Sequence, residues 1–386
     1  MADAVLRRRI FQLAGAAALL RKSLVGQQQT APQAQQPGPP RRSFGMMGGY
    51  PETFPEVSQH SPVAVIHGED RRKNAYQAMM AIDQQLQPKM KDKKYAVIKP
   101  NNVNTFNQLA ATHADALRGI IDYLAERFKG PVVIAESSAG DTRTGYENFK
   151  YTRLPGEYPR QQVKLIDLNE EARFERIAVM DADLHLVPVR LAARLLDPDA
   201  FVICSAMLKT HNTVIASLSI KNMVLGAPLH QAPKETPRWS EKRKYHVGLR
   251  QTHYNMLLTA QRMQPNWGAT LIDGYEGMEG NGPNSGVAVP SRIAIASPDY
   301  VAADRVGAEV MGIDAEWLGY LKYSGQLGLG QFDLAKIDVI GAKLADVKKK
   351  YQLHPDIERE LQWQGPMKEV PFNLGWTTPM SHPRLA

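Results

Sequence analysis

YAVIKPNNVNTFNQLAATHADALRGIIDYLAERFKGPVVIAE, residues 95–136, is the stretch whose reading decides the fold. It opens on the apolar, β-branched run Tyr95–Lys99, which Pro100 stops by removing a ladder donor. His113, Ala116, Leu117, Ile120, Ile121 and Leu124 then recur at the i, i+3, i+4 spacing of one helix face, with Thr112 in the N-cap position. Gly130-Pro131 breaks the helix, and Val132–Glu136 starts a second strand-like run. Strand, helix, strand in sequence demands a crossover, and a crossover joins parallel strands.

The same alternation continues in both directions. Strands are expected at Val63–His67, Tyr95–Lys99, Val132–Glu136, Val163–Asp167, Ala200–Ser205, Ala269–Asp273, Arg292–Ala296 and Ile337–Ile340, with helices at about 72–87, 112–128, 187–195, 248–263 and 299–311. The expected fold is α/β: a mostly parallel mixed sheet with helices on both faces, in a single large domain over 61–345, followed by a C-terminal extension over 346–386.

Ligands of such sheets collect beyond the carboxyl ends of the strands, so the residues that follow each strand are the candidate site. They are Lys99-Pro100-Asn101-Asn102, Glu136-Ser137-Ser138-Ala139-Gly140-Asp141-Thr142, Lys209-Thr210-His211-Asn212, and the glycine-rich run from Asp273 through Tyr275, Glu276 and Glu279 to Pro283. Lys99, Lys209 and His211 are the candidate catalytic residues. Lys99 either holds an anionic group or pairs with a carboxylate such as Glu136; His211 is either a base or metal ligand, or a structural histidine bonding its loop. Asn101, Ser137, Ser138, Thr142, Lys221 and Asn222 are candidate ligand-binding residues. Asp273, Glu276, Glu279 and Glu136 offer hard oxygen donors for a divalent metal, with backbone capping as the competing role for the acids of the glycine-rich run. The 137–142 loop lacks the Gly-Lys-Ser/Thr ending of a phosphate loop.

With Leu218-Ser219-Ile220-Lys221-Asn222-Met223 and Asp299-Tyr300-Val301-Ala302-Ala303-Asp304, these four segments resemble, over roughly 62–342, the family catalogued as domain of unknown function 362. The resemblance implies an α/β fold and a prokaryotic protein. Members often carry ferredoxin-like cysteine clusters; this chain departs from them, since Cys204 is its one cysteine and no iron–sulfur cluster or disulfide can be built from it. Any cofactor, a divalent metal for instance, must be held by oxygen and nitrogen. Cys204 lies in the apolar run Phe201–Cys204 and reads as a core thiol.

The net charge of +8 points first to nucleic acid, yet its distribution argues otherwise. Seven of the 47 basic residues and one of the 39 acids fall in 1–50, which leaves 40 against 38 for the rest. No nucleic-acid partner is expected. The concentrated charge belongs to a leader: Arg7-Arg8-Arg9-Ile10-Phe11 precedes an apolar stretch to Leu20, too short to span a bilayer, and resembles a twin-arginine export signal over 1–26. No clean Ala-x-Ala cleavage site follows, so an uncleaved signal could serve as an anchor. A Gln/Pro/Gly-rich linker occupies 27–60, with six Gln and four Pro between Gln27 and Pro40. The expected partners are thus the twin-arginine translocase and a small anionic ligand, and the expected location is the periplasm or the exterior. The sequence-level function is an exported enzyme acting on a small anionic substrate at the sheet's carboxyl edge, alternatively a non-catalytic module that binds or delivers such a ligand.

Overall fold

The computed structural model describes residues 57–231 and 236–365. The segment read as an export signal, nearly all of the expected linker, and the residues beyond 365 lie outside the described residues. The strands are β1 (Ser61–His67), β2 (Tyr95–Lys99), β3 (Val132–Glu136), β4 (Lys164–Asp167), β5 (Phe174–Met180), β6 (Leu186–Ala192), β7 (Ala200–His211), β8 (Ile215–Ser217), β9 (Trp267–Glu279), β10 (Val287–Val289), β11 (Ile293–Ser297) and β12 (Ile337–Gly341). Each of the eight strands read from the sequence is present.

These eight form the spine of one sheet in the order β12-β1-β11-β9-β7-β2-β3-β4. The neighbours β4, β3, β2, β7 and β9 run parallel, as do β1 and β12, and β11 alone in the spine runs against its neighbours. The central strands are buried on both faces, as a sheet with crossovers on both sides requires. Ala96 and Ile98 pack with Ile134, Phe201 and Ile203 beneath the helix Ala114–Arg127 and its Leu117, Ile120 and Leu124. Val97, Val133, Val202 and Cys204 point to the opposite face, toward Ile220 and Met223, Met256 and Val306 of the helices Ser219–Gly226, Leu249–Met263 and Tyr300–Val310. Each such aliphatic side chain taken from water contributes about 1.5–3 kcal/mol. Among the described residues, no helix is long and apolar enough to cross a membrane.

Four local expectations are corrected. Residues 187–195 are not helical: Leu186–Ala192 is β6, paired with β5 in a separate two-stranded ribbon, because Val187, Val189 and Leu191 alternate inward at period two. The helix expected over 72–87 is two helices, Arg71–Ala81 and Asp83–Met90, divided at Ile82. The N-cap before Ala114 is His113, whose Nδ1 accepts from Asp115 N at 3.1 Å; Thr112 is buried and instead links Asn101 N to Ser205 O through its hydroxyl. Lys209–His211 and Asp273–Glu279 are strand rather than loop, since β8 pairs back on the end of β7 and β10 on the end of β9. The sheet therefore carries a lip beyond its carboxyl edge.

Residues 346–365 pack onto the body rather than extending from it. Trp363 is buried against His253, with ring centroids 4.8 Å apart. Fully buried Glu360 accepts a hydrogen bond from Ile215 N at 2.6 Å. Ile215 has a φ of +70°, a strained conformation for a β-branched residue.

The helix Ser219–Gly226 has no cap from its own preceding residue, Leu218. Its first N–H groups are met instead by Asp304 of the helix Tyr300–Val310: Oδ1 accepts from Ser219 N (2.8 Å) and Ser219 Oγ (2.5 Å), and Oδ2 from Ile220 N (2.9 Å). A carboxylate at a helix N-terminus satisfies otherwise orphaned donors and meets the positive end of the dipole. Burial nevertheless pushes Asp304 up to about 7. Between about pH 4 and pH 7 the native protein then holds a proton that the unfolded chain has released, so this group's contribution to stability falls as pH rises, by about 1.4 kcal/mol per pH unit at most. Asp304→Asn should destabilise the protein in urea unfolding, with the deficit relative to wild type narrowing from about pH 4.5 to pH 7.

Candidate functional site

Five elements converge beyond the carboxyl ends of β2 and β3. Lys99 ends β2, and Glu136 ends β3 and leads into Ser137. Lys209 and Ser217 face each other across the β7–β8 lip. Lys221 and Asn222 come from the helix that Asp304 caps, and Lys242 from the turn Glu241–Tyr245. Together with Asn101 they line a narrow cavity of about 30 Å³.

Four lysines stand here against one carboxylate, and each is at least nine-tenths buried. Two of them are saturated. Lys99 Nζ donates to Glu136 Oε2 (2.9 Å), Asn222 Oδ1 (2.7 Å) and Pro100 O (2.8 Å), so it is paired with Glu136. Lys242 Nζ donates to the carbonyls of Leu225 (3.0 Å), Gly226 (3.3 Å) and Pro228 (2.8 Å), three acceptors that match the three N–H of an ammonium. Burial still draws Lys242 down to about 7. Lys209 Nζ donates to Asn101 Oδ1 (3.1 Å) and Ala110 O (2.7 Å); burial, then Lys221 and Lys99, lower it well below an ordinary lysine. Lys221 Nζ has no hydrogen-bond or ion-pair partner among the described residues, and burial with the nearby Lys99 charge brings it down to about 7.

The acceptors are fully used. Glu136 takes Lys99 and Asn102 N on Oε2 and Ser137 N on Oε1. Asn222 gives its amide N–H groups to Ser205 O (3.1 Å) and Cys204 Sγ (3.3 Å). Cys204 is fully buried and its thiol is pushed up to about 12, as expected of a core cysteine. The donors are not all used: Asn101 Nδ2 and Ser217 Oγ, like Lys221 Nζ, lack a partner among the described residues. A cavity lined by lysines and spare donors, with its carboxylate and amide oxygens already engaged, suits an anion.

Of the sequence candidates, Lys99, Lys209, Asn101, Ser137, Lys221, Asn222 and Glu136 meet at this cavity. Ser138 and Thr142 do not line it: Thr142 Oγ1 accepts from Ser138 N at 3.1 Å and orders the loop. His211 is buried beside it, its Nδ1 accepting from Thr213 N (3.0 Å), and burial, Lys221 and His246 depress it well below an ordinary histidine. The four acids do not assemble. Glu136 is committed to Lys99, and Glu279 accepts from Gln352 N. Asp273 and Glu276 instead converge on Arg71, whose Nε lies 3.3 Å from Asp273 Oδ2 and whose guanidinium donates to Glu276 Oε2 at 3.0 Å. This Arg71 cluster, with His113 and Met207, borders a second, roomier cleft of about 260 Å³. Among the described residues, the one group of three metal-type side chains with ligand atoms in mutual reach is the half-buried Asp181 with the exposed Asp183 and His185, in the β5–β6 turn.

A family model described as Domain of unknown function (DUF362) matches residues 96–309. The chain belongs to the DUF362 family. The matched span holds every residue that lines the lysine cavity, and leaves out Arg71 of the second cleft. A search of curated proteins gives no match. A crystal structure of a protein from Thermotoga maritima aligns at 10% identity with a TM-score of 0.38, over 68% of this chain and 60% of that one, so this DUF362 chain spans less than two thirds of that protein's length.

Sequence reasoning missed Lys242, Ser217, Asp304's capping role and Arg71. Lys242 sits in a stretch without hydrophobic period, and Ser217 in a three-residue strand too short to register one. Gly226 is an indirect sign of the site: a Cβ there would lie 2.1 Å from Lys99 Nζ, so the ammonium can pack only against a glycine. Lys99→Met should cost about 3–5 kcal/mol in denaturant unfolding, because Glu136 is left buried and unpaired. The double variant Lys99→Met/Glu136→Gln should recover part of that loss.

Proposed function

We propose that this protein is exported and binds, as the substrate of a reaction, a small anion bearing a carboxylate, sulfate or phosphate group in the lysine cavity. The observation that carries the reading is the set of three donors, Asn101 Nδ2, Ser217 Oγ and Lys221 Nζ, that come from residues lining one cavity and have no partners among the described residues, while the carboxylate of Glu136 and the amide oxygens of Asn101 and Asn222 are engaged. Water entering the cavity meets these donors, and an anion that displaces it gains charge-assisted hydrogen bonds, each worth about 1.5–3 kcal/mol. The narrowness of the cavity favours a few heavy atoms over a nucleotide.

Sulfate and oxalate keep a constant charge from about pH 6 to pH 9, so calorimetric titration with either isolates the protein's own protonation. Affinity should fall as pH rises through about 7, where Lys221 loses its proton. Lys221→Met should weaken binding about 10- to 100-fold, the worth of one charged hydrogen bond. Binding that ignores both pH and Lys221→Met would remove the anion reading. A bound compound that is returned unchanged in every assay would select delivery over catalysis.

Export rests on the Arg8-Arg9 leader. Arg8→Lys with Arg9→Lys should leave the protein in the cytoplasm on cell fractionation. Undiminished export of that double variant would assign the leader to the general secretory route.

A further inference from the structure

Within the anion-binding reading, on which this inference rests, Lys221 differs from the other three lysines. Lys99 and Lys242 have each of their three N–H directions occupied, and Lys209 is tied to Asn101 and Ala110. Lys221 is 9% exposed, lines the cavity, and has nothing to give its protons to among the described residues. An ammonium in that position is costly, whereas a neutral amine there is a primary nucleophile held in a pocket with donors for an anionic group.

We propose that Lys221 Nζ forms an imine with the carbonyl carbon of a small oxo acid whose carboxylate is held by Asn101 Nδ2, Ser217 Oγ and the remaining N–H of Lys209. The Nζ lone pair attacks the carbonyl carbon, and the π electrons move to oxygen, which gains a proton as nitrogen loses one. The nitrogen lone pair then forms the C=N bond as the carbon–oxygen bond breaks, the departing hydroxyl taking a proton from solvent to leave as water and the imine keeping its N–H; loss of that N–H proton to solvent gives the neutral imine. One carbonyl compound and one amine thus become one imine and one water, with no oxidant or reductant. The protonated imine withdraws electrons from the adjacent carbon, which is the purpose of such lysines in carbonyl chemistry.

The surroundings keep this amine available. The charged and titratable groups around it are Lys99 on β2, Lys209 and His211 on β7, Lys242 and His246 on the turn, and Glu136 on β3, whose carboxylate is already given to Lys99. Cations outnumber the one acid, so nothing near Lys221 rewards its protonation. Lys221 stands near 7, which leaves about half of it neutral at physiological pH, against fewer than about one in 10³ of exposed lysines.

The test incubates the full-length protein with glyoxylate or pyruvate and sodium cyanoborohydride at about pH 7, then maps the reduced adduct by peptide mass spectrometry. One adduct per chain at Lys221 is expected, forming about 10²-fold faster than at exposed lysines and slowed by competing sulfate. Lys221→Arg should lose the adduct, and any sulfate binding it keeps should no longer fall as pH rises through about 7, because a guanidinium holds its proton; this separates the amine's chemistry from its charge. Labelling spread evenly over surface lysines, or none at Lys221 in a protein that still binds sulfate, overturns the imine and leaves the anion site standing. Loss of sulfate binding in the wild type overturns both.

Discussion

The buried contact between Lys99 and Glu136 is the constraint on which the rest of the site depends. It joins the ends of two adjacent parallel strands at 2.9 Å, and both side chains are almost wholly removed from water. A buried pair is tolerable only when the remaining donors and acceptors are satisfied, and here they are. Asn222 and Pro100 take the other protons of Lys99, while Asn102 N and Ser137 N complete Glu136. Those secondary contacts fix the turns after β2 and β3 and the first turns of the helix Ser219–Gly226. The pair thus neutralises itself and leaves the field of the cavity to Lys209, Lys221 and Lys242.

Several short segments spread over two hundred residues complete one another through these contacts. Lys99-Pro100-Asn101 supplies the ammonium of the pair and the amide that bonds Lys209. Glu136-Ser137 supplies the counter-charge, and Ser219–Met223 supplies Lys221 and Asn222. Asp299 begins the helix Tyr300–Val310 by accepting from Val301 N and Ala302 N, and it also receives Ser61 Oγ and Gln331 N. Five residues on, Asp304 reaches across to start the helix that bears Lys221. None of these segments has a function alone; each is defined by the group it satisfies in another.

The strands were legible because burial on both faces gives short β-branched runs bounded by turn residues, as in Val132–Glu136 and Ala200–Ser205. The ribbon of β5 and β6 was not, since Arg190 and Pro188 interrupt the apolar pattern and the inward set is only Val187, Val189 and Leu191. Most of the cavity was legible because lysines, asparagines and glutamate at strand ends are uncommon without a reason. The division into two clefts was not. It depends on Arg71, which lies beyond the first strand with no pattern to mark it, and which captures Asp273 and Glu276 through tertiary placement alone. Likewise, the extension of β7 through Lys209 and His211 is set by β8 folding back on it, a pairing that a three-residue strand does not announce.

The hairpin that carries Ser217 is held from far away. Glu360 lies 145 residues after Ile215, whose strained backbone it anchors, and β1 takes its place between β11 and β12 from the other end of the described chain. On the ribosome, a nascent chain that has completed every lysine of the cavity still lacks the carboxylate that fixes the lip above them. The pocket is therefore assembled late, after the segment around residue 360 has emerged. Until then Ile215 N, at the turn of the hairpin that carries Ser217, has only water to bond.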